Sequence, residues 1–166
     1  NTLDGLSGMQ GIYITLNELN PALLARRSNR LKMHLSRKDS TTADADIIRR
    51  RWFPVDIDPV RPGGVSSTDE EHAKAPKKAE HVAGWLKDQG FPEPVRADSG
   101  NGAHLLDRVD LPNGETSREL VQRCLAALAD CFNDNTCTID PAVSNAARIW
   151  KLYGTVSRKG DATADR

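Results

Sequence analysis

The sequence predicts an α+β fold in which helices pack against a β-sheet. Two observations predict this class. Segments rich in β-branched and aromatic residues are interspersed with segments whose apolar residues recur at helical spacing, and no internal repeat is visible. The 166 residues, of which 38% are hydrophobic and 28% charged, are enough for one globular domain with its own core. We therefore expect a single domain over residues 1–166. Because the chain starts at Asn rather than Met, we also expect it to be a fragment of a longer protein.

The first half of the chain is expected to contain two strands, a short helix and a loop. Residues 11–16 are β-branched and aromatic, which favours a strand. Turn-forming residues then lead into a short helix over residues 21–30. Residues 51–57 form the second predicted strand, and the prolines and glycines of residues 59–64 impose a loop after it.

A long helix is predicted after that loop. The residues available for a capping box at its start are Ser67, Thr68, Glu70 and Glu71. Pro76 should break or kink its early turns, and Gly90 should end it after Gln89. Three apolar residues share one side of this helix: Val82, Trp85 and Leu86.

A second long helix and four further strands complete the prediction. The strands are expected at residues 94–98, 103–109, 136–139 and 147–153. The first two flank a turn, residues 99–102, whose glycines and Asn accept positive φ. Thr116 with Glu119 should cap the helix. Its apolar residues recur with helical spacing: Leu120, Val121, Cys124, Leu125, Leu128 and Phe132.

Charge and cysteine content restrict the class of protein. Lys plus Arg and Asp plus Glu balance at 23 each, so any nucleic-acid binding must come from local basic patches. The three cysteines, Cys124, Cys131 and Cys137, have no zinc-like spacing and are expected to be reduced. No signal peptide or long apolar stretch is visible, so we expect a cytoplasmic protein with no membrane role.

The most informative feature is the pair Asp56 and Asp58, which one apolar residue separates. In a strand both carboxylates would project from one face while Val55 and Ile57 are buried on the other. Like charges held this close raise each other's pKa unless a cation lies between them, which favours a hard divalent metal. The alternative is a solvated pair on an exposed edge strand.

A third acid, Asp140, stands between Ile139 and Pro141, the same local pattern as Asp58 between Ile57 and Pro59. If the two strands are neighbours, three carboxylates could hold two metal ions, and paired metals suit phosphoryl transfer. The alternative for Asp140 is an ordinary turn residue before proline.

Further along the chain, a histidine and a basic cluster could bind phosphate. His104 follows the glycine turn of residues 99–102, whose backbone N–H groups could hold an anion beside it. Four cations surround Gly154-Thr155: Arg148, Lys151, Arg158 and Lys159. They could bind a departing pyrophosphate. The alternatives are an incidental polar histidine and a basic surface, and the surface is the better interpretation for at least one of the four cations.

Taken in order, these motifs resemble the archaeo-eukaryotic primase superfamily, specifically the primase-polymerase domains of phages, plasmids and other mobile elements. The motifs are Asp56-Ile57-Asp58, residues 99–104, Ile139-Asp140 and residues 148–160. The opening residues 12–17 and residues 20–30 are also similar, so the resemblance covers nearly the whole chain. Tyr153-Gly154-Thr155 departs from the Pro-Gly-Thr of many relatives.

The resemblance implies both a fold and a set of roles. The fold would be an N-terminal α/β unit plus an RRM-like unit, with the active site in the cleft between them. Asp56, Asp58 and Asp140 would be the catalytic ligands of Mg²⁺ or Mn²⁺. His104 would contact the phosphates of an incoming NTP or dNTP, Ser99 or Asn101 helping it.

The resemblance also implies the partners. The function would be template-directed primer synthesis or extension on DNA, with a helicase or accessory domain possible in the parent protein. Arg148 and Lys159 fall near the basic residues with which the family binds phosphate.

Two other functions stay open from the residues alone. One is a non-catalytic, RRM-like module that binds single-stranded nucleic acid. It would need exposed aromatic residues for base stacking, for which the candidates are Tyr13, Trp52, Trp150 and Tyr153. The other is a metal-dependent enzyme acting on sugar nucleotides, because Asp-x-Asp also serves there.

Overall fold

The computed structural model describes residues 11–27 and 41–158 and has an α+β fold. Its strands are β1 (Tyr13–Thr15), β2 (Glu18–Leu19), β3 (Ile47–Pro59), β4 (Val95–Asp98), β5 (Ala103–Pro112), β6 (Cys137–Ile139) and β7 (Ile149–Lys151). Its helices are α1 (Leu24–Arg27), α2 (Asp69–His72), α3 (Lys74–Asp88) and α4 (Glu115–Phe132). Short 3-10 turns occur at Pro21–Leu23, Asp44–Asp46 and Pro141–Ser144.

The strands form two antiparallel sheets. The larger has the order β2-β3-β5-β4, and β6 pairs with the C-terminal end of β3. The smaller is a two-stranded ribbon of β1 and β7, which joins the beginning of the described chain to its end. The long strand β3 is therefore the centre of the fold, because β2, β5 and β6 all pair with it.

The core lies between the larger sheet and helices α3 and α4. Val55, Ile57 and Leu105 are completely buried on the face that the helices cover. Val82 of α3 and Leu125 of α4 are completely buried against them. The predicted alternation along residues 55–58 is confirmed, since Asp56 and Asp58 lie on the other face and are only partly buried.

Strand β3 begins at Ile47, four residues before the predicted start at residue 51. The prediction left Arg49 and Arg50 outside the strand, and a run of like charges is usually a solvated face. In the fold Arg49 and Arg51 both bind Asp110 on β5, and Arg51 also binds Glu18 on β2 with Nη2 2.5 Å from Oε2. Acids on neighbouring strands thus compensate the charge.

One predicted helix cap is confirmed and the other is wrong. Thr68 and Glu71 form a reciprocal capping box before α2. The cap at Thr116 is wrong, because α4 begins at Glu115 with Gly114 as its N-cap. The reason is the preceding Asn113, whose side chain donates to backbone carbonyls near the start of β3 and so sets where the chain turns into the helix.

The break predicted at Pro76 falls three residues earlier, at Ala73, which separates α2 from α3. Proline has no N–H to donate to the carbonyl four residues before it, and its ring clashes there, so the helix breaks on its N-terminal side. Gly90 follows the end of α3 with φ of 89°, as expected for a C-terminal glycine.

Some predicted features lie outside the described residues, namely residues 28–30 of the first helix and Lys159. Among the residues that the structure does describe, no helix is both long and apolar enough to cross a bilayer.

Candidate active site

A cleft of about 360 Å³ opens where the β1/β7 ribbon faces the C-terminal half of β3 and the turn between β4 and β5. One wall carries the polar groups singled out in the sequence, including Asp56, Asp58 and His104. The other wall comes from the ribbon and includes Tyr13 and Ile149. The cleft therefore joins an acidic and polar wall to a partly apolar one.

Asp56 and Asp58 are held side by side by the two-residue period of β3. Their side chains are 20% and 36% exposed, so both are accessible from the cleft. Arg61 also lines the cleft, with its Nη1 3.3 Å from Asp58 Oδ1 and its Nε donating to the carbonyl of Val65. A cation fixed by the chain thus lies against one carboxylate of the pair.

The pairing of β6 with β3 brings the backbone of Asp140 beside that of Asp56. Ile139 on β6 is opposite Ile57 on β3, and the N–H of Asp140 donates to the carbonyl of Asp56 at 3.0 Å. The side chain of Asp140, however, accepts from the N–H of Ala142 at 2.8 Å and caps the 3-10 turn that follows. The backbones of the three acids are adjacent, while the third carboxylate is bound within its own turn.

Within residues 11–27 and 41–158, no three His, Cys, Asp or Glu side chains are grouped as a metal site would require. That Asp56, Asp58 and Asp140 together hold two metal ions stays a prediction.

His104 is the register partner of Asp56 across β3 and β5, so both side chains share the cleft face of the sheet. Its Nε2 lies 3.2 Å from Asp56 Oδ1, and its Nδ1 lies 2.9 Å from the hydroxyl of Tyr153. The edge of the ring also meets Trp150, with ring centroids 4.4 Å apart. This histidine is almost fully buried and contacted on several sides, which argues against an incidental polar residue.

The turn between β4 and β5 is a hairpin turn, as predicted. Ser99 donates its N–H to the carbonyl of Gly102 and accepts the N–H of Gly102 on its hydroxyl. The side-chain oxygen of Asn101 accepts from the N–H of Ser67 at 3.0 Å. The polar side chains of Ser99 and Asn101 both line the cleft, and these contacts show that they also hold the turn in place.

The C-terminal cations differ in position. Arg148 is exposed and lines the cleft. Lys151 also lines it but is buried, with Nζ donating to Thr155 and to the carbonyl of Val156, and burial lowers its pKa. Arg158 is exposed and is not one of the residues that line the cleft. Of the three of these cations that the structure describes, Arg148 and Lys151 lie at the site.

Several residues that line the cleft, above all Arg61 and Ile149, were not predicted to have a role, and Tyr13 was expected only as a stacking candidate. Arg61 follows Asp58 by three residues, and this spacing after a strand could have indicated the contact. Tyr13 and Ile149 are 44% and 57% exposed. Local patterns could not place them, because the ribbon pairs segments more than a hundred residues apart.

Compared with known proteins, the chain matches no protein-family model, no curated protein and no solved structure.

Proposed function

We propose that the protein is a template-directed nucleotidyl transferase, a DNA primase or polymerase that joins NTPs or dNTPs. The observation that carries the proposal is the pairing of Asp56 with His104 across β3 and β5, at the floor of a cleft that Asp58 also lines. Carboxylates beside a phosphate-binding group suit a reaction in which metal ions and phosphates meet.

Two of the three acids offer the kind of ligand that Mg²⁺ or Mn²⁺ prefers. Asp56 and Asp58 offer hard carboxylate oxygens, on one face of a strand and accessible to solvent. Asp140 is the third acid at the same sheet edge. When bound, such ions would supply activation of the attacking 3′-hydroxyl and neutralisation of the triphosphate. Asp56, Asp58 and Asp140 would hold them.

The remaining groups of the cleft would bind and orient the nucleotide. His104 can donate a hydrogen bond to a phosphate from the floor of the cleft. Arg148 is placed to neutralise phosphate charge at its rim. Tyr13 and Ile149 form an exposed apolar surface against which a base or sugar can lie. Positioning and charge neutralisation would do most of the catalysis.

The architecture supports the finer proposal that this is a primase-polymerase core. The resemblance implies a cleft between two units, one of them RRM-like. The candidate site lies between the larger antiparallel sheet and the separate β1/β7 ribbon. A DNA template would be bound largely through its phosphates, so template binding should weaken with salt.

A binding module without chemistry is the second candidate, and the positions of the aromatic residues disfavour it. Trp150 is 3% exposed, Arg108 covers the ring of Trp52 at 5.2 Å, and Tyr153 is engaged with His104. Tyr13 is the one of the four candidates that is widely exposed. A row of stacking platforms is therefore missing from these four positions.

The test is an incorporation assay with labelled NTPs and dNTPs, on primed and unprimed templates, with Mg²⁺ or Mn²⁺. We expect template-directed incorporation that depends on the metal, and a loss of at least about 100-fold in Asp56→Ala and Asp58→Ala. Asp130→Ala is the matched control, since Asp130 is exposed on α4 and is not one of the residues that line the cleft. Undiminished incorporation in Asp56→Ala would reject the proposal.

A further inference from the structure

The two ring nitrogens of His104 face different kinds of partner. Nε2 faces the carboxylate of Asp56 at 3.2 Å, and Nδ1 faces the hydroxyl of Tyr153 at 2.9 Å. An ionised carboxylate only accepts hydrogen bonds, whereas a phenol can donate or accept. A neutral imidazole donates from one nitrogen and accepts at the other, so these two partners together favour one tautomer over the other.

We propose that Tyr153 is a positioning residue whose hydroxyl donates a hydrogen bond to Nδ1 of His104 and, with Asp56 accepting at Nε2, holds the histidine in the tautomer with its proton on Nε2. In this tautomer the N–H of a neutral ring points at the Asp56 side of the cleft. A contact between this N–H and a nucleotide phosphate rests on the proposed function. The tautomer itself is independent of that function.

The surroundings of Tyr153 suit a donor. Burial, and then the nearby charge of Asp56, raise the pKa of its hydroxyl, so the phenol keeps its proton. Its position follows from the turn after β7, where Gly154 adopts φ of 78° and the hydroxyl of Thr155 donates to the carbonyl of Leu152. A positive φ at this position is easy for glycine and costly for most other residues.

The ring of His104 is also prevented from turning over. Its edge meets the indole of Trp150, with centroids 4.4 Å apart and planes at 82°. Tyr153 contacts the same ring at a centroid distance of 5.7 Å. Two aromatic neighbours therefore fix the plane of the imidazole, and the Asp56 carboxylate and the Tyr153 hydroxyl together favour the proton on Nε2. Tyr153 thus joins His104 in the proposed phosphate-binding group.

The decisive measurement is ¹⁵N NMR of the histidine side chains in the ligand-free wild-type protein at pH 8, above the ordinary pKa of histidine. Protonated and unprotonated ring nitrogens are readily distinguished there. The chain has four histidines, and His104→Gln identifies the signal by its disappearance. We expect Nε2 protonated and Nδ1 unprotonated. A proton on Nδ1, alone or together with one on Nε2, would overturn the proposal.

A pair of phenylalanine variants tests the role of the hydroxyl. In Tyr153→Phe we expect the ¹⁵N signal of Nδ1 of His104 to shift, because this nitrogen loses the hydroxyl that donates to it. We also expect the KM for the nucleotide to rise about 5-fold or more, with a smaller change in kcat. Tyr13→Phe removes the hydroxyl of the chain's other tyrosine, which lines the cleft, and should leave the His104 signals unchanged. Wild-type signals and KM in Tyr153→Phe would refute the positioning role.

The two proposals fail separately. If the wild-type spectrum shows the Nε2 proton but no nucleotide is incorporated under any condition, the tautomer stands and the proposed function falls. If incorporation is robust and the proton is found on Nδ1, the function stands and the role of Tyr153 falls.

Discussion

Asp107 on β5 is completely buried, and neither of its carboxylate oxygens has a hydrogen-bond partner within the described ranges. It is opposite Phe53 on β3 and so faces the helices, away from the cleft. Burial, and then the charge of Glu93, raise the pKa of Asp107 to about 6. The unfolded chain therefore releases this proton at a lower pH than the folded chain does.

We predict that Asp107 makes stability fall between about pH 4 and pH 6. Below pH 4 the carboxyl is protonated in both states and its contribution is fully present. As the pH rises through the folded pKa the buried group ionises, and a contribution of up to about 3 kcal/mol is lost. Asp107→Asn, which stays neutral, should be more stable than wild type at pH 7 and lack this loss. Denaturant unfolding across pH 4 to 8 measures the difference.

Asp110→Asn, three residues along the same strand, is the opposite control. Hydrogen bonding to Arg49 lowers the pKa of Asp110, so its contribution is present at neutral pH and is lost as the pH falls. The variant should therefore be less stable than wild type at pH 7 and approach it in acid. Equal pH profiles for wild type and Asp107→Asn would contradict the prediction for the buried acid.

Asp140 combines two roles that a pair of substitutions can separate. Its side chain caps the turn at Pro141–Ser144 by accepting from Ala142. An asparagine oxygen can accept the same hydrogen bond but is a poor ligand for a hard divalent ion. We predict that Asp140→Asn keeps the stability of wild type and loses at least about 100-fold in incorporation, whereas Asp140→Ala also loses about 1 kcal/mol of stability. Full activity of the Asn variant would leave Asp140 with the capping role alone.

The hairpin of β4 and β5 presses directly against the acidic end of β3. A Cβ on Gly102 would lie 2.4 Å from the carbonyl oxygen of Ile57 and 3.1 Å from Oδ1 of Asp58. On the same turn, a Cβ on Gly100 would meet Ser157 at 2.6 Å. The close approach of this turn to β3 therefore depends on glycine at position 102, and its close approach to Ser157 depends on glycine at position 100.

Gly102→Ala should damage both the fold and the site. The nearest atom is a backbone oxygen, so the hairpin must shift away from β3, and we expect a loss of about 1–3 kcal/mol. Activity should fall even where the variant is folded, because Asp58 moves with the clash. Gly84→Ala on α3 is the matched control, since its Cβ meets no atom within 4 Å and should raise stability by about 0.5–1 kcal/mol. Thermal unfolding and the incorporation assay compare the two.

On the scale of the whole molecule, the cleft has walls from both sheets. Tyr13 and Arg148 come from the ribbon side, and Asp56 and His104 come from the larger sheet. A ligand that spans the cleft would bind only the folded chain and would hold the two sheets together.

We therefore predict that a dNTP with Mn²⁺ raises the unfolding temperature. At a ligand concentration 100 times the dissociation constant the stabilisation should be about 2.7 kcal/mol. The double variant Asp56→Asn and Asp58→Asn should lose this response while keeping the fold. Differential scanning calorimetry with and without dNTP and Mn²⁺ tests it, and an equal shift in both proteins would place the ligand elsewhere.

The site could be predicted in part because its motifs are local. A strand repeats every two residues, so Asp-Ile-Asp puts Asp56 and Asp58 on one face wherever the strand lies. The glycine turn before His104 and the apolar spacing of α4 are local in the same way. The start of β3 and the cap of α4 could not be predicted, because charges and carbonyls on distant segments decide both.

The sequence by itself determined an α+β chain, its acidic pair, its glycine turn and the order of its motifs, since each depends on neighbours within a few residues. Only the tertiary structure decided that Asp56 is opposite His104, that Asp140 adjoins Asp56 through its backbone, and that Tyr153 reaches His104. Strand register and the pairing of β1 with β7 join residues far apart in the chain. Their geometry is therefore set by the packing of the whole core, which no local pattern contains.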